Sequence, residues 1–247
     1  MAGMWGARTV AAGLTRRLAT ACLLAAATSM PVTSGAFAAC VDRDRDVLLI
    51  LDASTSMLHL GLGGLNRFEA ARDAIATDLD IFPPGAQIAL RLLGSRSAAL
   101  RGDCQDSQLI VPFGPAATNR TLILGALLAI GPQGITPMSY ALHEAIADFP
   151  EGSNDRTVVL VSDGGETCGA DVCAAAVELA RAGIMVNTVA IQPDNIGQRQ
   201  LQCIAQATGG QYFPVPTTTV LADQLARAIG ICSVAVAAPP RRSIAKG

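Results

Sequence analysis

Three oxygen-bearing side chains follow an apolar run in the stretch LLILDASTSM, and their spacing is suited to chemistry. Asp52, Ser54 and Ser56 alternate with Ala53 and Thr55 directly after the strand-forming residues. A carboxylate and two hydroxyls in one loop can bind a hard cation, take part in catalysis or simply form a turn. The rest of the chain must decide among these three roles.

Two further polar residues join this set because of the segments that precede them. Asp163 ends the apolar run in VVLVSDGGETC, and Thr136 lies in the glycine- and proline-rich loop GPQGITPMSYAL. Ligands of open α/β sheets bind outside the carboxyl ends of strands where the strand order reverses, so these residues are expected near Asp52. Two carboxylates and three hydroxyls suit Mg²⁺, or alternatively Mn²⁺ or Ca²⁺, and a partner's carboxylate can complete the coordination shell.

Short apolar runs alternate with helical patterns along the chain, which is typical of strand-helix-strand units and a mostly parallel α/β sheet. The predicted strands are residues 47–51, 87–93, 108–111, 157–161, 185–191 and 211–213. The predicted helices are residues 67–80, 121–130, 138–149, 171–183, 198–210 and 220–229.

The position of each strand in the sheet follows from its pattern. Residues 47–51 and 157–161 lack alternation of polar and apolar residues, so they are expected in the middle of the sheet, covered on both faces. The turn-rich GSRSAALRGDCQDS separates residues 87–93 from 108–111, which favours an antiparallel hairpin at an edge.

Composition indicates one globular domain and excludes a nucleic-acid-binding surface. The chain has 247 residues, of which 51% are hydrophobic and 15% charged, and its net charge is −2. A domain that neutralises phosphates is strongly basic, and this chain has no such excess of Lys and Arg.

The first 38 residues are predicted to be a secretory signal peptide. Arginines at positions 8, 16 and 17 precede the apolar LATACLLAAA, and Ala36 and Ala38 fit a small-residue cleavage site. The apolar run is short for a membrane anchor, so no membrane span is expected after cleavage. Lipidation of Cys40 is an alternative, although Phe37 is a poor match to the aliphatic residue expected there. Export to the periplasm or the outside medium is predicted, and residues 233–247 are expected to form an unstructured tail.

Cysteine content agrees with export. Cleavage removes Cys22 and leaves an even number of cysteines, which in an exported chain favours disulfides over metal ligands. The spacing of Cys168 and Cys173 is not the usual zinc spacing. The six candidates are Cys40, Cys104, Cys168, Cys173, Cys203 and Cys232.

The chain closely resembles the von Willebrand factor A domain family, whose metal-ion-dependent adhesion site carries D-x-S-x-S, a later Thr and a later Asp. DASTSM, GITPMSYAL and VSDGGETC fill all five positions. The resemblance covers roughly residues 45–231, within a domain predicted at residues 39–232. It implies a Rossmann-like, doubly wound sheet of six strands in the order 3-2-1-4-5-6, the third antiparallel. It also implies direct coordination by Ser54, Ser56 and Thr136, with Asp52 and Asp163 acting largely through water.

The topology that the resemblance implies gives the cysteines positions. Cys40 and Cys232 are expected to join the ends of the domain. The pairs Cys104–Cys168 and Cys173–Cys203 are expected near the upper edge of the sheet, and local closure of Cys168 with Cys173 is the alternative.

The favoured hypothesis is a non-enzymatic module that binds the Asp or Glu of a partner protein through a divalent cation. A structural or assembly role in an envelope complex, with a vestigial metal site, is the second hypothesis. A metal-assisted enzyme is the third, and it is disfavoured because no positioned nucleophile accompanies His59 or His143 and no G-x-S-x-G motif is present.

Overall fold

Strands and helices together make up most of residues 45–61, 64–153 and 155–230, which are the residues that the computed structural model describes. The strands are β1 Arg45–Asp52, β2 Gln87–Leu93, β3 Ser107–Pro115, β4 Asp155–Ser162, β5 Ile184–Ile191 and β6 Tyr212–Val215. The α-helices are α1 Arg67–Leu79, α2 Ala116–Ala129, α3 Met138–Asp148, α4 Val172–Arg181, α5 Asn195–Thr208 and α6 Leu221–Ile229.

The six strands form one sheet in the order β3-β2-β1-β4-β5-β6. β3 runs antiparallel to β2, and the other neighbours are parallel, as the resemblance implied. β1 and β4 occupy the middle, because their unbroken apolar sequences can be buried on both faces. The strand order reverses between β1 and β4, which places a ligand crevice at the carboxyl ends of these two strands.

Helices cover both faces of the sheet. α1, α2 and α6 pack on the face that contains the side chains of Val47, Leu49 and Leu51. α3, α4 and α5 pack on the opposite face, where the Leu48 and Ile50 side chains lie. Alternate residues of β1 therefore contribute to two separate apolar cores, and both cores fix the position of the strand end that follows.

β3 and α2 differ from the sequence-based bounds. β3 extends to Pro115 because a bulge in its pairing with β2 accommodates Pro112 beside solvent, which an edge strand permits. α2 begins at Ala116 instead of residue 121, without a side-chain cap that would indicate its start in the sequence. Both differences lie at the edge of the sheet, away from the carboxyl ends of β1 and β4.

Several predicted features lie outside the described residues: the signal peptide of residues 1–38, Cys40, Cys232 and the tail of residues 233–247. Within the described ranges, no helix has the length and apolar character needed to cross a membrane.

Asp78 on α1 is expected to make stability depend on pH. Its side chain is buried and its Oδ2 has no hydrogen-bond partner, and burial together with repulsion from Asp223 raises its pKa from 3.8 to about 7. A carboxyl with a raised folded-state pKa stabilises the fold while protonated, so that stability is complete below pH 3.8 and is lost as pH rises through about 7. Urea unfolding should show wild-type protein losing up to about 4 kcal/mol relative to Asp78→Asn between pH 4 and pH 8.

Asp223→Asn is the matched control for this prediction. It removes the repulsion but keeps the buried carboxyl, so its pH dependence should be weaker than that of wild-type protein and still measurable. Parallel pH profiles for wild-type protein and Asp78→Asn would contradict the assignment.

Candidate functional site

Asp52 is the last residue of β1, and its carboxylate is fully buried. The Ser54 backbone N–H donates to Asp52 Oδ1 at 2.8 Å, and the Ser162 hydroxyl donates to Asp52 Oδ2 at 2.5 Å. Ser162 is the last residue of the neighbouring strand β4. The carboxylate is thus held in one orientation by both strands that meet at the reversal of strand order.

A chain of short polar contacts connects the hydroxyls of the β1 loop to Asp163. Ser54 Oγ and Ser56 Oγ lie 3.0 Å apart. The Ser56 hydroxyl donates to Asp163 Oδ1 at 2.7 Å, and Asp163, directly after β4, is buried. The structure therefore brings four of the five predicted residues together, because the ends of β1 and β4 are adjacent.

Thr136 reaches the same edge of the sheet through its loop. Gly134 forms a parallel bridge with Ser54, and its carbonyl accepts from the Thr55 N–H at 3.0 Å. This approach requires Gly94, with φ +68°, since a Cβ there would lie 2.4 Å from the Ile135 carbonyl oxygen. The loop before α3 is consequently bound to the loop after β1, and Thr136 itself is buried.

Residues 163–168 form a turn that holds Thr136 from the other side. The Thr136 N–H donates to Thr167 Oγ1 at 2.8 Å, and the Thr167 N–H donates back to the Thr136 carbonyl at 3.1 Å. Glu166 accepts from the Ser139 N–H at 2.7 Å and from the Cys168 N–H at 2.6 Å. This carboxylate therefore joins the first turn of α3 to the turn that follows β4.

The carboxylates of Asp52 and Asp163 repel each other at the site. Burial and the nearby charge of Asp163 raise the pKa of Asp52 to about 6, although the hydrogen bonds from Ser162 and Ser54 lower it. Two buried carboxylates that repel each other are stabilised by a cation placed between or beside them. The site thus has both the ligand atoms and the negative charge that a divalent cation needs.

Arg67 supplies one positive charge to the site and was not among the predicted residues. It is the first residue of α1, between the N-cap Asn66 and Glu69 of the capping box, and its Nη1 pairs with Asp163 Oδ2. In the sequence it lies in an ordinary helical pattern, RFEAARD, and only the fold brings it to the end of β4. Ser162 and Glu166 were also missed, although each lies within three residues of Asp163.

Two disulfides have the pairing that the resemblance implied. Cys104 pairs with Cys168 and Cys173 pairs with Cys203, each with a Cα–Cα distance of 5.7 Å. The alternative of local closure between Cys168 and Cys173 is wrong. The first bridge connects the β2–β3 loop to the turn that carries Asp163 and Thr167.

The donor set fits a hard divalent cation. It consists of hydroxyl and carboxylate oxygens, and among the described residues no cluster of three or more His, Cys, Asp or Glu side chains offers a different kind of metal site. In such a site Ser54, Ser56 and Thr136 would be the neutral donors, and Asp52 and Asp163 would supply the charge. Such a set resembles the oxygen environments that bind Mg²⁺ and Mn²⁺, not the nitrogen and sulfur sets of structural zinc.

These features define an open α/β protein with an oxygen-rich crevice at the point where its strand order reverses. The model of the von Willebrand factor type A domain matches residues 46–227, and the chain belongs to this family. A relative, the uncharacterized protein YwmC of Bacillus subtilis, is 33% identical over 176 residues, which cover 70% of this chain and 77% of YwmC.

Solved structures show the same fold. An aerotolerance-related membrane protein from Bacteroides fragilis, crystallised with multiple mutations to serines, has a TM-score of 0.60 at 20% identity and covers 75% of this chain and 98% of its own. A second structure is proximal thread matrix protein 1 of the mussel byssus, with a zinc-occupied metal-ion-dependent adhesion site (MIDAS) motif. It has a TM-score of 0.56 at 16% identity, and the match covers 75% of this chain and 45% of the mussel chain. At these identities the similarity concerns the fold.

Proposed function

We propose that this domain binds a partner protein through a divalent cation held at the carboxyl ends of β1 and β4. Ser54, Ser56 and Thr136 are the direct ligands, and Asp52 and Asp163 act largely through water. The observation that carries the proposal is the continuous polar chain from Ser54 through Ser56 to Asp163. The zinc-occupied MIDAS motif of the mussel protein supports it, because that protein has the same fold.

The donor set explains why a partner would contribute an acidic residue. Neutral hydroxyl ligands leave most of the charge of Mg²⁺ uncompensated, and Mg²⁺ commonly keeps several waters that a ligand can replace. An Asp or Glu side chain of the partner then completes the octahedral shell. Mn²⁺ and Ca²⁺ are alternative ions for the same oxygen ligands.

The loops around the site are proposed to determine which partner is bound. The loops proposed for this role are residues 57–67 and 131–137, and in the described part of the first loop Leu58, Leu60 and Leu65 are exposed. Exposed apolar side chains beside a charged site are typical of protein interfaces, in which an apolar contact accompanies a polar anchor. The partner surface is therefore expected to combine an acidic residue with apolar neighbours.

Binding, and not catalysis, is the role proposed for the site. His143 pairs with Glu178 at 3.1 Å, on α3 and α4, and not with a site hydroxyl. We also propose that the protein is exported to the periplasm or the outside medium. The two disulfides support this proposal, since disulfides persist mainly in oxidising compartments.

Affinity capture from the source organism's envelope and secreted fractions tests the proposed function. Wild-type protein in Mg²⁺ should retain a partner that is lost in chelator and is not retained by Asp52→Ala or Ser54→Ala. The partner, once identified, should lose binding when its contacting Asp or Glu is exchanged for Asn or Gln. Equal capture by wild-type protein in chelator and by both variants would contradict the proposal and favour the assembly role.

A further inference from the structure

Arg67 is placed differently from an ordinary surface arginine. Its side chain is only 18% exposed, and the Asp163 side chain that it contacts is fully buried. Nη1 of Arg67 donates to Asp163 Oδ2, but its Nε is buried without any hydrogen-bond partner. An arginine that lies here for stability alone would be expected to satisfy its buried donors, because an orphaned buried N–H is unfavourable.

Both carboxylate oxygens of Asp163 already accept a hydrogen bond while this pair is formed. Oδ1 accepts from the Ser56 hydroxyl, and Oδ2 accepts from Arg67. Among the described residues, Arg67 is the one Lys, Arg or His side chain that forms an ion pair with Asp163. The guanidinium therefore neutralises a carboxylate whose charge a divalent cation in this crevice also needs.

We propose that Arg67 is a tethered competitor of the divalent cation. Its charge stabilises the buried Asp163 carboxylate when no metal is bound, and a metal ion must overcome both this pairing and the repulsion from the guanidinium. The consequence is a lowered metal affinity of the domain alone. This inference rests on the proposed function, since it assigns a regulator to the same site.

Reciprocal coupling with the partner follows from this competition. A partner carboxylate that draws the guanidinium away from Asp163 removes the competitor, so partner and metal would bind cooperatively. Arg67 begins α1, directly after the first of the two loops that are proposed to face the partner. It is a regulatory residue, not a metal ligand.

Calorimetric titration with MgCl₂ and MnCl₂ tests the inference on four forms of the mature chain. Arg67→Gln removes the charge, and Arg67→Met removes it while keeping an apolar stem. Arg72→Gln is the matched control, because Arg72 lies on the same helix but pairs with Asp73 at the surface. We expect both Arg67 variants to bind metal about tenfold more tightly than wild-type protein, as removal of a competing charge beside a carboxylate predicts.

Thermal unfolding in chelator gives an independent readout. The two Arg67 variants should melt at a lower temperature than wild-type protein and Arg72→Gln, and saturating Mg²⁺ should raise their melting temperature by more. If wild-type protein binds metal and both Arg67 variants bind it with the same or lower affinity, the inference is overturned and the proposed function remains. Absence of saturable binding in all forms would overturn both.

Discussion

The Asp52→Asn variant is expected to lose binding of divalent cations and, in chelator at pH 8, to be at least as stable as the wild-type protein. Asparagine keeps the size of the side chain and can still accept from the Ser54 N–H, but it removes a buried charge. Metal affinity should fall about 100-fold, the larger loss typical of groups that support a metal shell. Calorimetry and thermal unfolding of the same preparations measure both effects.

The expected stability follows from the sign of the pKa shift at Asp52. Its folded-state pKa of about 6 lies above the ordinary value of 3.8, so the fold favours the protonated form. The associated stability is complete below pH 3.8 and is lost as pH rises through about 6. At pH 8 the variant should therefore gain up to about 3 kcal/mol over wild-type protein in chelator.

Asp46→Asn is the matched control, since Asp46 lies near the opposite end of the same strand. It should leave metal affinity unchanged. A variant at position 52 that binds Mg²⁺ as wild-type protein does would show that this carboxylate is only a turn former. A variant that is strongly destabilised would show that Asp52 is retained for folding.

Removal of the Cys104–Cys168 bridge is expected to cause a large loss of stability. The bridge spans 64 residues of sequence, and a loop of this length predicts a loss of about 4 kcal/mol in the Cys104→Ser/Cys168→Ser variant. Metal affinity should also fall about tenfold, because the bridge braces the turn that holds Thr136 through Thr167. Urea unfolding and calorimetry, each under non-reducing conditions, measure the two losses.

The Cys173→Ser/Cys203→Ser variant distinguishes general destabilisation of the fold from loss of the brace on the turn at residues 163–168. Its bridge spans 30 residues between α4 and α5, so a stability loss of similar size is expected. Its metal affinity should stay within about twofold of wild-type protein, since its bridge joins α4 to α5 and includes no residue of the turn at residues 163–168. Equal loss of affinity in both double variants would mean that general destabilisation, and not the brace, weakens the site.

The fold was predictable where burial dictated residue type. β2 has the predicted bounds, residues 87–93, and the central positions of β1 and β4 follow from apolar runs that fit only a sheet covered on both faces. The start of α2 was not predictable to the same degree. Its first turn has no capping side chain, and its position depends on tertiary contacts such as the hydrogen bond from the Ala116 N–H to the Ala86 carbonyl.

The residues of the candidate site likewise differ in whether the sequence could predict them. Asp52, Ser54, Ser56 and Asp163 could be found from the sequence because each lies at or just after the end of a recognisable strand. Arg67 could not be found in this way, because its contact with Asp163 arises only when the fold brings the end of β4 next to the start of α1. Glu166 and Ser162 have ordinary turn and strand surroundings, and only their hydrogen bonds distinguish them. Metal occupancy of the site stays a prediction.

The most direct test of the metal site is anomalous diffraction from crystals of the mature protein soaked in Mn²⁺. We predict one strong manganese peak about 2 Å from the hydroxyl oxygens of Ser54, Ser56 and Thr136, with Asp52 and Asp163 reached through ordered waters. A peak of that height should be absent from Asp52→Asn crystals treated in the same way. Manganese bound elsewhere, or no peak at this crevice in crystals whose crevice is open to solvent, would contradict the account.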